Sequence, residues 1–224
     1  MKNIYRIFGL VIILLLFHSC KKDKEEDGSI KDYDENVYTS VVIGTQTWMI
    51  ENLKTTHFNN GSEIPLITNN TAWSNLSSQG YCWYNNDESS NKSTYGALYN
   101  WFTVNTGNLC PSGWHVPKKE EWDILATYLG GDNFAGGKLK ETGSAHWLNP
   151  NVGATNEYGF TGLPGGQRDN TGTFLFLGID GFWWANTTSS SDWAYSRELD
   201  NDYSDFFSFN DIKKFGFSVR CVKD

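Results

Sequence analysis

Among the side chains able to do chemistry, His57, His115 and His146 are scattered, with no pair four residues apart. Zinc centres usually draw their ligands from tighter spacings, so a metal site built on these histidines is not expected. His115, between Trp114 and Val116, reads as a hydrogen-bonded structural residue. The run Asp200-Asn201-Asp202-Tyr203-Ser204-Asp205 offers the oxygen ligands that calcium takes. It lacks the glycine at position six and the glutamate at position twelve of an EF-hand loop, and it reads as a polar turn between two strands, with calcium left open. Gly162-Leu163-Pro164-Gly165-Gly166-Gln167-Arg168 is rich in glycine, yet it has no Lys-Ser/Thr and no following helix pattern. A surface turn carrying Arg168 is expected there instead of a phosphate loop. Trp183 and Trp184 are adjacent, and neighbours on a strand point to opposite faces. One indole should then be core and the other free to stack on a sugar ring at the surface; burial of both under loops is the alternative. No nucleophile–base pair and no metal cluster is visible in the sequence, so neither an enzyme nor a cofactor is expected.

The elements that would position these groups are uneven in clarity. The run VYTSVVIGTQTWMIENL has β-branched residues on both sides of Gly44-Thr45 and reads as a hairpin. Residues 59–79, rich in Asn, Ser and Thr, look like an irregular loop, and Tyr81 to Tyr84 a short strand. One helix is convincing. Pro117 can open it, Glu120 and Glu121 favour its positive end, and Trp122, Leu125, Ala126 and Leu129 share one apolar face before Gly130-Gly131 stops it. A second, weaker helix is expected over about Gly96 to Val104. Beyond residue 131, candidate strands are Phe174–Leu177, Gly181–Ala185, Ala194–Leu199, Asp205–Phe209 and Gly216–Val222. The close spacing of the last four suggests an antiparallel meander.

Composition bounds the partners. The formal charge is −8, which makes sequence-independent nucleic-acid binding unexpected, because that needs clustered Lys and Arg. Ten Trp, eleven Tyr, fourteen Phe and 22 Gly describe a loop-rich domain packed on aromatics. Composition alone does not separate core aromatics from a ligand platform.

The N-terminus supplies an address. Lys2 and Arg6 precede an apolar run from Phe8 to Phe17, too short to span a bilayer and of the length of a secretory core. With Ser19 before Cys20, it resembles a bacterial lipoprotein signal. The resemblance implies removal of residues 1–19, acylation of Cys20 and a membrane anchor held by acyl chains. Residues 20–36 read as an acidic flexible tether. Within it Lys24-Glu25-Glu26-Asp27 resembles the acidic export tags of surface-displayed lipoproteins in the Bacteroidetes, and a plain solvated linker is an equal alternative. The expected location is the outer membrane, with cell-surface display. With Cys20 acylated, Cys82, Cys110 and Cys221 remain, an odd number, so at most one intrachain disulfide can form.

Five stretches carry a family resemblance: VVIGTQTWMIENLKTTHFNNG at 41–61, YCWYNND at 81–87, YGALYNW at 95–101, CPSGWHVPKKEEW at 110–122 and FGFSVRCVKD at 215–224. Together they strongly resemble the Fibrobacter succinogenes major paralogous domain, frequent in lipoproteins of Bacteroidetes and defined by sequence, without an assigned biochemical role. The domain is expected over 37–224. A more distant likeness links Trp114-His115-Val116-Pro117 with Glu121-Trp122, and Gly216-Phe217 with Arg220, to the formylglycine-generating enzyme family. That likeness implies an α+β, C-type lectin-like fold, two helices on a twisted antiparallel sheet with long loops. The paired catalytic cysteines of those enzymes are missing, since Cys221 is alone near the end. In a fold whose chain ends lie together, a Cys110–Cys221 disulfide is expected, with Cys82 a free, buried thiol; Cys82–Cys110 is the main alternative. The expectation is thus a non-enzymatic envelope lipoprotein that binds polysaccharide or a protein partner, with Trp183, Trp184 and Arg168 as candidate ligand contacts. A structural envelope protein is the alternative, and an uncharacterised enzyme the third reading.

Overall fold

A computed structural model describes residues 29–224. In chain order these form strands β1 (Ile30–Lys31), β2 (Val37–Tyr38), β3 (Ser40–Ile43) and β4 (Gln46–Met49), helix α1 (Asn70–Ser74), β5 (Tyr81–Cys82), α2 (Glu88–Asn91), β6 (Leu98–Tyr99), α3 (Trp101–Val104) and β7 (Trp114–His115). Then come helices α4 (Lys119–Tyr128) and α5 (Asp132–Leu139) and strands β8 (Gly165–Arg168), β9 (Phe174–Leu177), β10 (Asp180–Thr188), β11 (Trp193–Asp200), β12 (Phe207–Ile212) and β13 (Val222–Lys223). The fold is mixed α+β. A five-stranded sheet runs β12-β11-β10-β8-β9 and a four-stranded one β3-β4-β13-β7, with two small ribbons, β1-β2 and β5-β6. All pairings are antiparallel except β8 with β10. No helix among the described residues is long and apolar enough to cross a membrane.

The β3–β4 hairpin forms as its sequence dictates. Gly44 takes a φ of 62° in the two-residue turn, and a Cβ there would meet the Tyr128 ring at 2.9 Å. Helix α4 is also where its periodicity puts it. The Glu121 carboxylate accepts the Lys118 N–H at 2.8 Å at its start, and Trp122, Leu125 and Ala126 are buried. Gly131 N–H returns to the Ala126 carbonyl at 2.8 Å at its end. Helices α4 and α5 cover one face of the β10–β11 pair, where Trp122, Leu125 and Leu139 share a core with Trp183, Ala185 and Leu199. On the other face Trp184 and Phe182 pack under Phe217.

Four expectations need correction. Order does not wait for Val37, because Ile30 and Lys31 pair with Tyr38 and Val37. Asp32 accepts the Tyr38 hydroxyl at 2.6 Å, and Asp34 accepts Thr56 N–H at 2.5 Å and Thr55 Oγ1 at 3.1 Å. Strand pairing and the acceptors Asp32 and Asp34 fix this segment despite its composition, so the tether reading fails for residues 30–36. The helix expected from Gly96 begins only at Trp101, where the Asn100 side chain caps Thr103 N–H at 3.1 Å, and Leu98–Tyr99 is strand. Within 59–79, Trp73 is drawn into the core on α1. The meander holds for β10, β11 and β12, but β13 leaves it and pairs with β4 and β7.

Helix α5 was not legible at all. Its sequence DNFAGGKL carries two glycines, poor helix formers, and their use is steric. A Cβ on Gly136 would lie 1.9 Å from the Asp205 carbonyl oxygen, and one on Gly137 would lie 2.4 Å from that of Gly153. The glycines let the 201–205 turn close onto the helix, and Gly137 N–H donates to the Ser204 carbonyl at 3.0 Å.

Candidate functional site

The three residues expected to meet a ligand do not form a surface. Trp183, Trp184 and Arg168 are each fully buried. The strand argument holds, since the two indoles do point to opposite faces, but both faces are covered there. Trp183 Nε1 donates to Asn52 Oδ1 at 2.8 Å and Trp184 Nε1 to the Tyr99 carbonyl at 2.9 Å. Arg168 lies on β8, not on a surface turn. Its guanidinium donates to the carbonyls of Ile67, Thr68 and Gly172 and to Asn70 Oδ1, and it stacks over Trp73 at 4.5 Å. Eight of the ten tryptophans are buried, so the indoles that composition left ambiguous belong mostly to the core.

The histidines stay apart, as their spacing implies. His57 meets Asp34 at 2.6 Å, and His146 meets Glu141 at 2.8 Å. His115 lies between Asp224 at 2.6 Å and Glu121 at 2.9 Å. Burial works against the His115 cation, but hydrogen bonds to both carboxylates raise its pKa above the usual histidine value. Cys110 and Cys221 form the expected disulfide across 111 residues, with Cα atoms 6.1 Å apart. Cys82 is free and buried, and loss of solvent pushes its thiol up to about 12, out of range for a nucleophile at neutral pH. Cys20 lies outside the described residues.

A different constellation does gather chemistry. On β11, Glu198 and Asp200 are two residues apart and therefore share a face. Across the strand pair Asp180 of β10 faces Asp200, and Phe182 faces Glu198. On the far side Phe207 of β12 also faces Glu198. The Glu198 carboxylate is thus flanked by two aromatic positions, with Asp180 and Asp200 at the strand ends beside it. One carboxylate oxygen from each acid lies within 4.8 Å of the other two. Burial, and then the charges of Asp200 and Asp202, push Asp180 up to about 7. Burial, and then the charges of Asp180, Asp200 and Asp211, push Glu198 up to about 8.

This part of the sheet is open. Tyr203 and Phe209 are exposed and Phe207 is half-buried. The Phe207 ring is 5.7 Å from Tyr203 and 5.9 Å from Phe209, giving an aromatic row along the acids. Asp211 extends the acidic line and accepts the Ser196 hydroxyl; burial raises its pKa. Sequence reading stopped at the turn after Asp200 and missed Asp180 and Glu198. The signal was partial: Glu198 lies in the predicted strand Ala194–Leu199, and Asp200, one residue beyond it, continues the alternation.

A second concavity lies between the β3–β4 turn and α4, lined by Ile43, Gly44, Ile124 and Tyr128. It is mostly apolar, and its one acid, Asp123, is already paired with Arg197 at 2.6 Å, so it offers little to a polar ligand.

No curated protein and no solved structure matches the chain. A family model described as the Fibrobacter succinogenes major domain matches residues 41–223. That span takes in both larger sheets, the disulfide and the acidic strand pair, and the chain belongs to this family.

Proposed function

We propose that this protein is a non-enzymatic envelope lipoprotein whose domain, of C-type lectin-like type, binds polysaccharide through the open face of β11 and β12. The observation that carries the reading is the row Tyr203, Phe207 and Phe209 beside Glu198 and Asp211. Aromatic rings present flat apolar surface, and carboxylates beside them accept hydrogen bonds from hydroxyl groups. Sugars combine both needs. The packing of α4 and α5 on one side of the antiparallel strands β10 and β11 supports the lectin-like part of the reading. The catalytic alternatives lack support: Cys82 is buried with a raised pKa, and among the described residues His57, His115 and His146 are each held by carboxylates.

The anchor belongs to the same proposal. Acylated Cys20 would tie the domain to the outer membrane and hold the aromatic face at the cell surface. Labelled fatty acid should be incorporated into the full-length protein and lost in Cys20→Ala; equal incorporation in the variant refutes the anchor. For binding, the detergent-extracted full-length protein is applied to a broad glycan array. Retention of at least one glycan class is expected, reduced at least tenfold in Phe209→Ala with an unchanged melting temperature. Failure to retain any glycan would favour the structural envelope protein instead.

A further inference from the structure

Three carboxylates on one patch of sheet oppose one another, and like charges directly across a strand pair destabilise it. A structural role would call for a neutralising partner. None is supplied to the most buried of the three. Asp180 is only 7% exposed, and its Oδ1 has no hydrogen-bond partner among the described residues. A buried acceptor left without a donor calls for an explanation. Lys140 comes close but serves the backbone: its Nζ donates to the carbonyl oxygens of Asp200 and Tyr203, both at 2.7 Å.

We propose that Asp180, Glu198 and Asp200 form a divalent-cation site, and that the cation is calcium. The donors are all oxygen, which selects hard cations over zinc or copper. Ligand number separates calcium from magnesium, because calcium takes several carboxylates in a flexible geometry whereas magnesium keeps most of its waters and takes one or two. Three carboxylates, with one oxygen of each within 4.8 Å of the other two, suit calcium. Two of the ligands come from one strand and one from its neighbour, so the ion would clamp β10 to β11 where the 201–205 turn begins. This site stands whether or not the aromatic face binds polysaccharide.

The test uses full-length protein in detergent, stripped with chelator and then dialysed free of it. Calcium or magnesium alone is added, followed by calorimetric titration and thermal unfolding. Calcium is expected to bind one ion per chain and, at a hundredfold excess over its Kd, to raise the melting temperature by about 5 °C or more. Magnesium is expected to bind at least tenfold more weakly. Glu198→Gln and Asp180→Asn, each nearly isosteric, should each weaken calcium binding at least tenfold. No calcium uptake by the wild-type protein at millimolar concentration overturns the site, whatever the variants do. Wild-type affinity retained by both variants also overturns it, and magnesium binding as tight as calcium binding overturns the assignment of the ion.

Discussion

The buried arginines and the carboxylates of β10 and β11 are charges treated in opposite ways. Arg168, Arg197 and Arg220 are almost wholly enclosed. Arg168 has four oxygen acceptors. Arg197 joins Asp123 and Asp132 at 2.6 and 2.7 Å. Arg220 donates to Asn52 Oδ1 and to the Phe160 carbonyl, and stacks over the Phe160 ring at 4.1 Å. Asp180, by contrast, has a buried oxygen with no donor among the described residues. A charge that the fold has fully satisfied is architecture; one left wanting marks where something else is meant to arrive. That distinction moves Arg168 from the candidate ligand contacts to the scaffold and brings the three carboxylates forward.

The largest effect that could break this contrast belongs to the arginines. Arg168→Met removes the donor from the carbonyls of Ile67 and Gly172 and leaves that of Thr68 to Asn86 alone, and with the lost stacking on Trp73 should cost about 3 kcal/mol in denaturant unfolding. A loss under about 1 kcal/mol would mean that those acceptors find water and that Arg168 is not structural. The carboxylates should respond in the opposite sense. In chelator, Glu198→Gln relieves repulsion and should gain up to about 1 kcal/mol. Destabilisation there would show that Glu198 has a partner after all.

The smallest effect separates a satisfied surface group from both. His115 has a raised pKa because Asp224 and Glu121 favour its cation. Its contribution is therefore fully present below the unfolded value of about 6.5 and is lost as pH rises through the higher folded value. The stability difference between the wild type and His115→Gln should shrink across that window. A difference that grows with pH would reverse the assignment.

How far the sequence could be read depended on range. The β3–β4 hairpin and α4 are written in local signals: a turn glycine, an apolar stripe, a carboxylate at the first turn. Helix α5 is not, because Gly136 answers to the Asp205 carbonyl in a distant turn and Gly137 to the Gly153 backbone of another loop. Trp183 and Trp184 follow the alternation of a strand, but alternation cannot say that both faces are covered, one by α4 and the other by the Phe217 segment. The acidic triad needed a register. Glu198 and Asp200 were visible as neighbours on one face, whereas the pairing that brings Asp180 opposite Asp200 exists only once β10 and β11 are laid side by side.

The place of β13 has a consequence for how the molecule is made. Val222 pairs with Trp48 on one side and His115 on the other, so the strand that fills the interior of this sheet is made long after the members on either side of it. Vectorial synthesis can prepare the hairpin and α4, but it cannot close this sheet. Until β13 has emerged, β4 and β7 have no strand between them. A chain cut just before β13 would therefore lack the keystone of this sheet, and quality-control proteases would meet an unfinished domain even though α4, α5 and the five-stranded sheet had already been made.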